Sequence, residues 1–300
     1  MDARSSRDKW AEWVLARSHA NDAEQKRRSL EFLGPIRDGV LEKARINPGD
    51  VVLDVGAGDG LIAFGALPLV GESGRVIFCE VSEDLLEHCR VAAEELGVAD
   101  RAEFVRAAAE DLSPIPAASV NAVTTRSVLI YVQGKGEAFR EFHRVLRPGG
   151  RVSIFEPINR YFPNDVDDFW GFDAHSVRDL VEKIWIAEGC HGANDPNDPM
   201  MNFDERDLSR CARSAGFADV HVDLVIDVEP GTWVEDWERL LGTAPNPNAR
   251  TTGEAISAAL TPGEAERFEA ALRPLVDRGQ GMKRSAFAYL RAVKSSENLN

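Results

Sequence analysis

Five short apolar runs alternate with helical stretches between residues 51 and 155, and this rhythm constrains the fold more than any other feature. Val51–Val55 leads into Gly56-Ala57-Gly58-Asp59-Gly60 and a helix over 61–69. Arg75–Glu80 is a second strand, followed by a helix from Asp84 to about Leu96. Ala102–Arg106 and 120–125 read as the third and fourth strands, with a helix over 135–146. The turn Arg147-Pro148-Gly149-Gly150 then opens a fifth strand, 151–155. Mostly apolar strands joined by helices suit a parallel sheet covered on both faces, because each crossover must bring the chain back to the same end. The pattern predicts an α/β chain with a doubly wound, Rossmann-like sheet and ligand sites beyond the strands' carboxyl ends.

The flanks organise around that core. Residues 8–20 and 22–45 read as helices, with Pro35 marking a break or a new start, and residues 1–46 form an N-terminal helical cover. The ligand-binding core is expected over 47–157. Residues 158–203, which hold Trp170, Trp185 and the turn-rich run Asn194-Asp195-Pro196-Asn197-Asp198-Pro199, read as a lid insertion. The α/β pattern resumes in 204–300, with a helix over 204–215, strands at 220–228 and 285–293, and a helical insertion over 229–284 that includes a helix opened by Pro262.

Net charge excludes one class of partner. The −15 of the whole chain falls mainly on residues 51–100 and 161–240, and no Lys/Arg cluster of the kind that tracks a phosphate backbone is present. Nucleic acid is therefore not expected as a partner. The polar start of the chain has no apolar stretch of a secretory signal, and no run of about 18 apolar residues suggests a membrane span. The four cysteines (Cys79, Cys89, Cys190, Cys211) lack metal-type spacing and fit reduced thiols in a cytoplasmic protein.

The chemistry centres on the glycine turn. Glycines let the chain reverse sharply and approach a ligand with no Cβ in the way. A carboxylate ending the second strand, Glu80, is placed to accept both hydroxyls of a ribose. The spacing Gly56, Gly58, Gly60 is G-x-G-x-G rather than the G-x-G-x-x-G of pyrophosphate binders, which disfavours phosphate cradling.

With these residues the chain resembles the class I S-adenosylmethionine-dependent methyltransferases, particularly the small-molecule branch that includes ubiquinone and menaquinone biosynthesis enzymes. Asp54 through Gly60 is similar to that family's first motif, and Glu80 to its ribose-binding acid. Ala109-Glu110-Asp111-Leu112 is similar to the adenine loop, and Arg147-Pro148-Gly149-Gly150 to the turn before strand five. The resemblance implies a seven-stranded sheet whose last strand is antiparallel, with helical lid insertions. It implies S-adenosylmethionine as cofactor, S-adenosylhomocysteine as product and a small-molecule acceptor. The cofactor would then meet Asp54, Gly56, Ala57, Gly58, Gly60, Glu80, Val81, Ala109, Glu110, Asp111, Arg126 and Ser127. Ala108 stands where many relatives have an adenine-binding Asp, which leaves that task to Glu110, Asp111 or backbone.

Methyl transfer is an in-line displacement, so the protein mainly aligns the reactants and excludes water, an effect worth about 7–11 kcal/mol. A base is needed only for an acceptor that starts protonated. Glu156, Tyr131 and His175 are the catalytic candidates, with His191 a further base; Glu156 alternatively pairs with Arg126 or Arg160, and Tyr131 alternatively packs beneath the lid. Asp165, Asp167 and Asp168 do not match the family's metal triad and read as surface charge, so no metal is expected. Two other readings stay open on these residues: a nicotinamide-dependent oxidoreductase on a similar sheet, and a cofactor-binding protein without methyl transfer.

Overall fold

The computed structural model describes residues 7–18, 23–162, 165–189, 197–234 and 236–296, with the side chains of 16–30 set aside. The chain divides into two compact units. One comprises residues 1–157, 205–224 and 288–300, and the other 158–204 and 225–287.

The first unit opens with helices α1 (Lys9–Ser18) and α2 (Ala23–Ala44). Pro35 does not break α2, which runs through it. A proline there removes one backbone donor and crowds the carbonyl of Glu31 four residues back, a cost of about 3 kcal/mol or more that the helix absorbs. The alternating core follows: β1 (Val51–Val55), α3 (Leu61–Val70), β2 (Arg75–Glu80), α4 (Glu83–Glu95), β3 (Ala102–Arg106), β4 (Val120–Arg126), α5 (Lys135–Val145) and β5 (Leu146–Pro157). Every residue of β1 is buried, as an interior parallel strand requires. β1 pairs in parallel with β2 and β4, β2 with β3, and β4 with β5.

β5 begins five residues earlier than the sequence pattern indicates. Leu146 already pairs with Val120, and the register shifts before Ala122 meets Arg151. The Arg147–Gly150 turn is thus absorbed as an irregularity in the strand, helped by Gly149 at φ +76°. After α6 (Arg178–Glu188) of the second unit come α7 (Glu205–Ser214), β8 (Phe217–Pro230) and β9 (Met282–Lys294). The sheet is seven-stranded and mixed, in the order β3-β2-β1-β4-β5-β9-β8, with one antiparallel strand. The strand that comes last in sequence therefore lies inside the sheet, not at its edge.

The second unit has its own core. Phe169, Phe172, Leu180, Ile184, Trp237 and Phe268 pack together with no more than 5% exposure. They come from both insertions: a two-residue-per-strand hairpin of β6 (Asp168–Phe169) and β7 (Phe172–Asp173), α6, and helices α8 (Trp237–Gly242), α9 (Thr252–Ala259) and α10 (Pro262–Val276). Thr251 and Thr261 close capping boxes with Glu254 and Glu264, and Pro262 occupies the first turn of α10. Among the described residues no helix is long and apolar enough to cross a membrane.

Candidate functional site

The glycine turn hangs from the neighbouring strand. The N–H groups of Gly56 and Ala57 both donate to the Cys79 carbonyl, at 2.8 and 3.0 Å. Gly56, Gly58 and Gly60 all have positive φ, +68°, +57° and +85°. They differ in surroundings. A Cβ on Gly56 would lie 2.2 Å from Val128 Cγ2, and one on Gly60 would lie 2.4 Å from the Phe64 ring. A Cβ on Gly58 would meet nothing nearer than Val14 Cγ1 at 3.9 Å. The outer two glycines are therefore forced by packing, whereas a Cβ on the middle one would make only ordinary contact with Val14.

Glu80 is 7% exposed and ends β2 beneath this turn. Its Oε2 accepts from Gly58 N–H at 3.0 Å, and its Oε1 accepts from Val81 N–H at 2.7 Å and Ser82 N–H at 3.2 Å. Burial pushes the carboxyl above its ordinary range; these three donors pull it back, and the nearby Asp8 charge adds to the rise. A carboxylate has about four lone-pair sites, so three bonds leave it capacity for a further hydroxyl.

Asp54 points the other way. It is 2% exposed, and Thr124 Oγ1 donates to its Oδ1 at 2.8 Å. The β1–β4 register sets these two residues opposite each other. Burial pushes Asp54 up to about 7, opposed by Thr124, the Arg126 charge and the Ala63 N–H. That last bond ties β1 to the first turn of α3, whose N-cap Gly60 offers no side-chain cap.

Beyond β4 the chain turns sharply at Ser127, which adopts φ +54° although it is not glycine. Such a conformation persists only where the surroundings hold it. Ser127 N–H donates to the Phe155 carbonyl at 2.8 Å. The Glu156 carboxylate takes the next three: Oε1 accepts from Val128 N–H at 3.0 Å and Leu129 N–H at 2.9 Å, and Oε2 from Ile130 N–H at 3.0 Å. Glu156 is 0% exposed, and burial pushes it up to about 7 despite those donors and the charge of Lys135. The expected pairing with Arg126 or Arg160 is not what it makes; backbone donors supply its hydrogen bonds. Arg126 is half-buried, and among the described residues its guanidinium has no hydrogen-bond partner, its charge acting on Asp54.

Helix α1 covers this region. The backbone N–H of Asp8 donates to Asp84 Oδ2 at 2.6 Å, and Ser82 Oγ donates to Asp8 Oδ2 at 2.6 Å. Trp10 and Trp13 meet Tyr131 edge-on, with ring centroids 5.0 and 6.3 Å away. Edge-to-face packing of this kind is a favoured aromatic geometry. The adenine-loop candidates lie at the end of β3: Ala109 and Leu112 are buried, while Asp111 is exposed and accepts from Ser113 N–H at 3.1 Å. Glu110 lies beside Gly134, where an added Cβ would sit 3.3 Å from its Cγ.

Comparison with known proteins bears on this arrangement. A methyltransferase-domain family model matches residues 52–150. The ubiquinone/menaquinone biosynthesis C-methyltransferase of Cronobacter sakazakii is 30% identical over 195 residues, covering 60% of this chain and 71% of that protein. The chain belongs to the class I S-adenosylmethionine-dependent methyltransferases. The same-named enzyme of Pseudomonas putida (strain GB-1) is 35% identical over 158 residues, 48% of this chain, which spans 61% of that relative's length. Solved structures share the fold: the YcgJ protein of Bacillus subtilis has a TM-score of 0.54 at 14% identity, covering 87% of this chain and 98% of that one. Geranyl diphosphate C-methyltransferase of Streptomyces coelicolor A3(2) has a TM-score of 0.52 at 16% identity, covering 93% and 85%.

Within this methyltransferase, the first unit gathers Asp54, the glycine turn, Glu80, Val81, Ala109, Glu110, Asp111, Arg126, Ser127, Tyr131 and Glu156. His175 belongs to the second unit, where it is exposed and its Nδ1 lies 3.1 Å from Asp167 Oδ1. Asp167 also pairs with Arg178, and Asp168 with Arg284. His191 and the 194–196 part of the turn-rich run lie outside the described residues. Residues that the sequence pattern did not single out hold these elements in place. Ser82 caps α4 by accepting from Leu85 N–H at 3.1 Å, and the Ser-Glu-Asp run before an apolar stretch is a readable signal for that role. Asp8, Thr124 and Val128 act through partners 70 or more residues away, or across a tight backbone approach, and carry no local signal.

Proposed function

We propose that the chain transfers the methyl group of S-adenosylmethionine to a small-molecule acceptor, with the glycine turn, Glu80 and Arg126 as the principal cofactor contacts. The observation that supports this most is the glycine turn itself. All three of its glycines have positive φ, and the N–H of the middle one, Gly58, is held by the carboxylate that would take the ribose. Glu80 retains acceptor capacity for a further hydroxyl. The Arg126 guanidinium, with donors left over, suits the carboxylate of the cofactor's amino-acid end. The bound cofactor supplies an electrophilic sulfonium methyl group.

The chain's own part is to orient and to exclude water. Trp10, Trp13 and Tyr131 form an apolar cover beside the turn. Ser127 and the backbone after it form a wall whose N–H groups are already engaged. Nitrogen, oxygen and carbon acceptors all fit such a site; the names of the curated relatives make carbon the first to test. The chemistry requires no metal, and cytoplasmic placement accords with the sequence.

Calorimetric titration and thermal unfolding test the reading. S-adenosylhomocysteine at 100 times its Kd stabilises the native state by about 2.7 kcal/mol, while NAD leaves the melting temperature unchanged. A melting temperature that S-adenosylhomocysteine does not move refutes the assignment. Methyl-labelled cofactor with a panel of quinol, phenol and amine acceptors then separates transfer from binding alone.

A further inference from the structure

The loop after β4 is held by an unusual arrangement. Five successive backbone N–H groups from Ser127 to Tyr131 are all satisfied, and only one of them by a partner within the loop. Ser127 donates to the Phe155 carbonyl, Val128 and Leu129 to Glu156 Oε1, Ile130 to Glu156 Oε2, and Tyr131 to the Val128 carbonyl. Phe155 and Glu156 are adjacent at the end of β5, so one dipeptide fixes four consecutive donors. The parallel register of β4 and β5, with Arg126 opposite Phe155, delivers the dipeptide to that position.

Two features make this anchoring consequential for the site. Ser127 is in the left-handed region, so its conformation depends on being held from outside. Val128, the first residue gripped by the carboxylate, fills the space that a Cβ on Gly56 would occupy. The glycine turn and the post-β4 loop are therefore mutually seated, and the same loop ends at Tyr131 under Trp10 and Trp13.

We propose that Glu156 is a positioning residue: its buried carboxylate gathers the N–H groups of residues 128–130 and so fixes the wall of the methyl-transfer site, without touching the acceptor. The anchoring itself stands on the hydrogen bonds; the identity of the site and the ligand used in the test rest on the methyltransferase reading. No neutral side chain reproduces the arrangement. A glutamine at 156 keeps one accepting oxygen, but its amide nitrogen would face a donor. An aspartate keeps both oxygens and withdraws them by one methylene.

Glu156→Gln tests the idea through two measurements on the full chain: hydrogen exchange of the amides 128–130 and calorimetric titration with S-adenosylhomocysteine. Loss of one charge-assisted acceptor from a buried donor set is worth about a tenfold change or more. The expected result is at least tenfold faster exchange confined to residues 127–131 and an S-adenosylhomocysteine Kd weakened about tenfold. Glu156→Asp shifts both in the same direction and serves alone if the amide variant does not fold. A merely structural role lowers the melting temperature and leaves both readouts of the folded protein unmoved. Exchange and Kd within twofold of wild type, or a weakened Kd with unchanged exchange at 128–130, overturns the proposal. Wild-type protein that binds no S-adenosylhomocysteine overturns the functional reading instead, and the exchange result then decides the anchoring by itself.

Discussion

Gly56→Ala separates two reasons for keeping a glycine. The backbone there has φ +68°, which costs a residue with a Cβ about 1–2 kcal/mol. The new Cβ would also sit 2.2 Å from Val128 Cγ2, far inside the roughly 3.5–4.0 Å of a relaxed carbon contact. Overpacking of that kind adds about 1–3 kcal/mol, for a total loss of about 2–5 kcal/mol. Gly58→Ala is the control. Its φ of +57° carries a similar conformational cost, but its Cβ has no neighbour within 3.8 Å, so only the first part applies. Val128→Ala removes the methyl that Gly56→Ala strikes. In a double-mutant cycle followed by urea unfolding, Gly56→Ala and Val128→Ala couple favourably by about 1–3 kcal/mol, whereas Gly58→Ala and Val128→Ala add. Equal losses at positions 56 and 58, or additivity at 56 and 128, would refute the mutual seating of turn and loop.

Other outcomes follow from single groups. Glu188 ends α6 at 2% exposure with one bond, from Thr252 Oγ1, and burial pushes it up to about 7 from an ordinary 4.5. Because its folded value is raised, its contribution favours the folded state below about pH 4.5 and is lost as pH rises through about 7. The gap is worth about 3 kcal/mol, so Glu188→Gln should gain most of that relative to wild type between urea melts at pH 4.5 and pH 8, and parallel pH profiles would contradict it. Asp8→Ala removes the acceptor for Ala11 N–H and for Ser82 Oγ; it should lower stability by about 1–2 kcal/mol and speed proteolysis within α1. Thr261→Ala breaks the α10 capping box and should cost about 1 kcal/mol by urea unfolding, with S-adenosylhomocysteine affinity unchanged.

The alternating core was legible because buried parallel strands leave mostly apolar runs such as Val51–Val55, interrupted only by Asp54, and because glycine at positive φ marks the turn. Ala102–Arg106 is a strand with the bounds its pattern suggests. What local pattern could not show was anything decided by register or by distant partners. The absorbed turn at Arg147–Gly150 depends on Val120 pairing with Leu146. The shared core of the second unit depends on Phe169 meeting Phe268, nearly a hundred residues on, at 5.2 Å between ring centroids. Glu156 was visible as a carboxylate at the end of a strand; that it turns toward three backbone donors follows only from where β4 leaves the chain.

The interior place of β9 bears on how this protein is made. In the sheet order, β5 has β4 on one side and β9 on the other, and β8 has β9 as its one neighbour. Until residues 282–294 have left the ribosome, the far side of β5 offers a row of unpaired N–H and C=O groups, and β8 has no strand to join. Open edges of this kind are templates for pairing with other chains. Synthesis order and assembly order therefore diverge: β5 and β8 are both made before the strand that lies between them. A chain cut short before residue 282 would leave β5 and β8 without their shared neighbour, the exposure that templates pairing between chains.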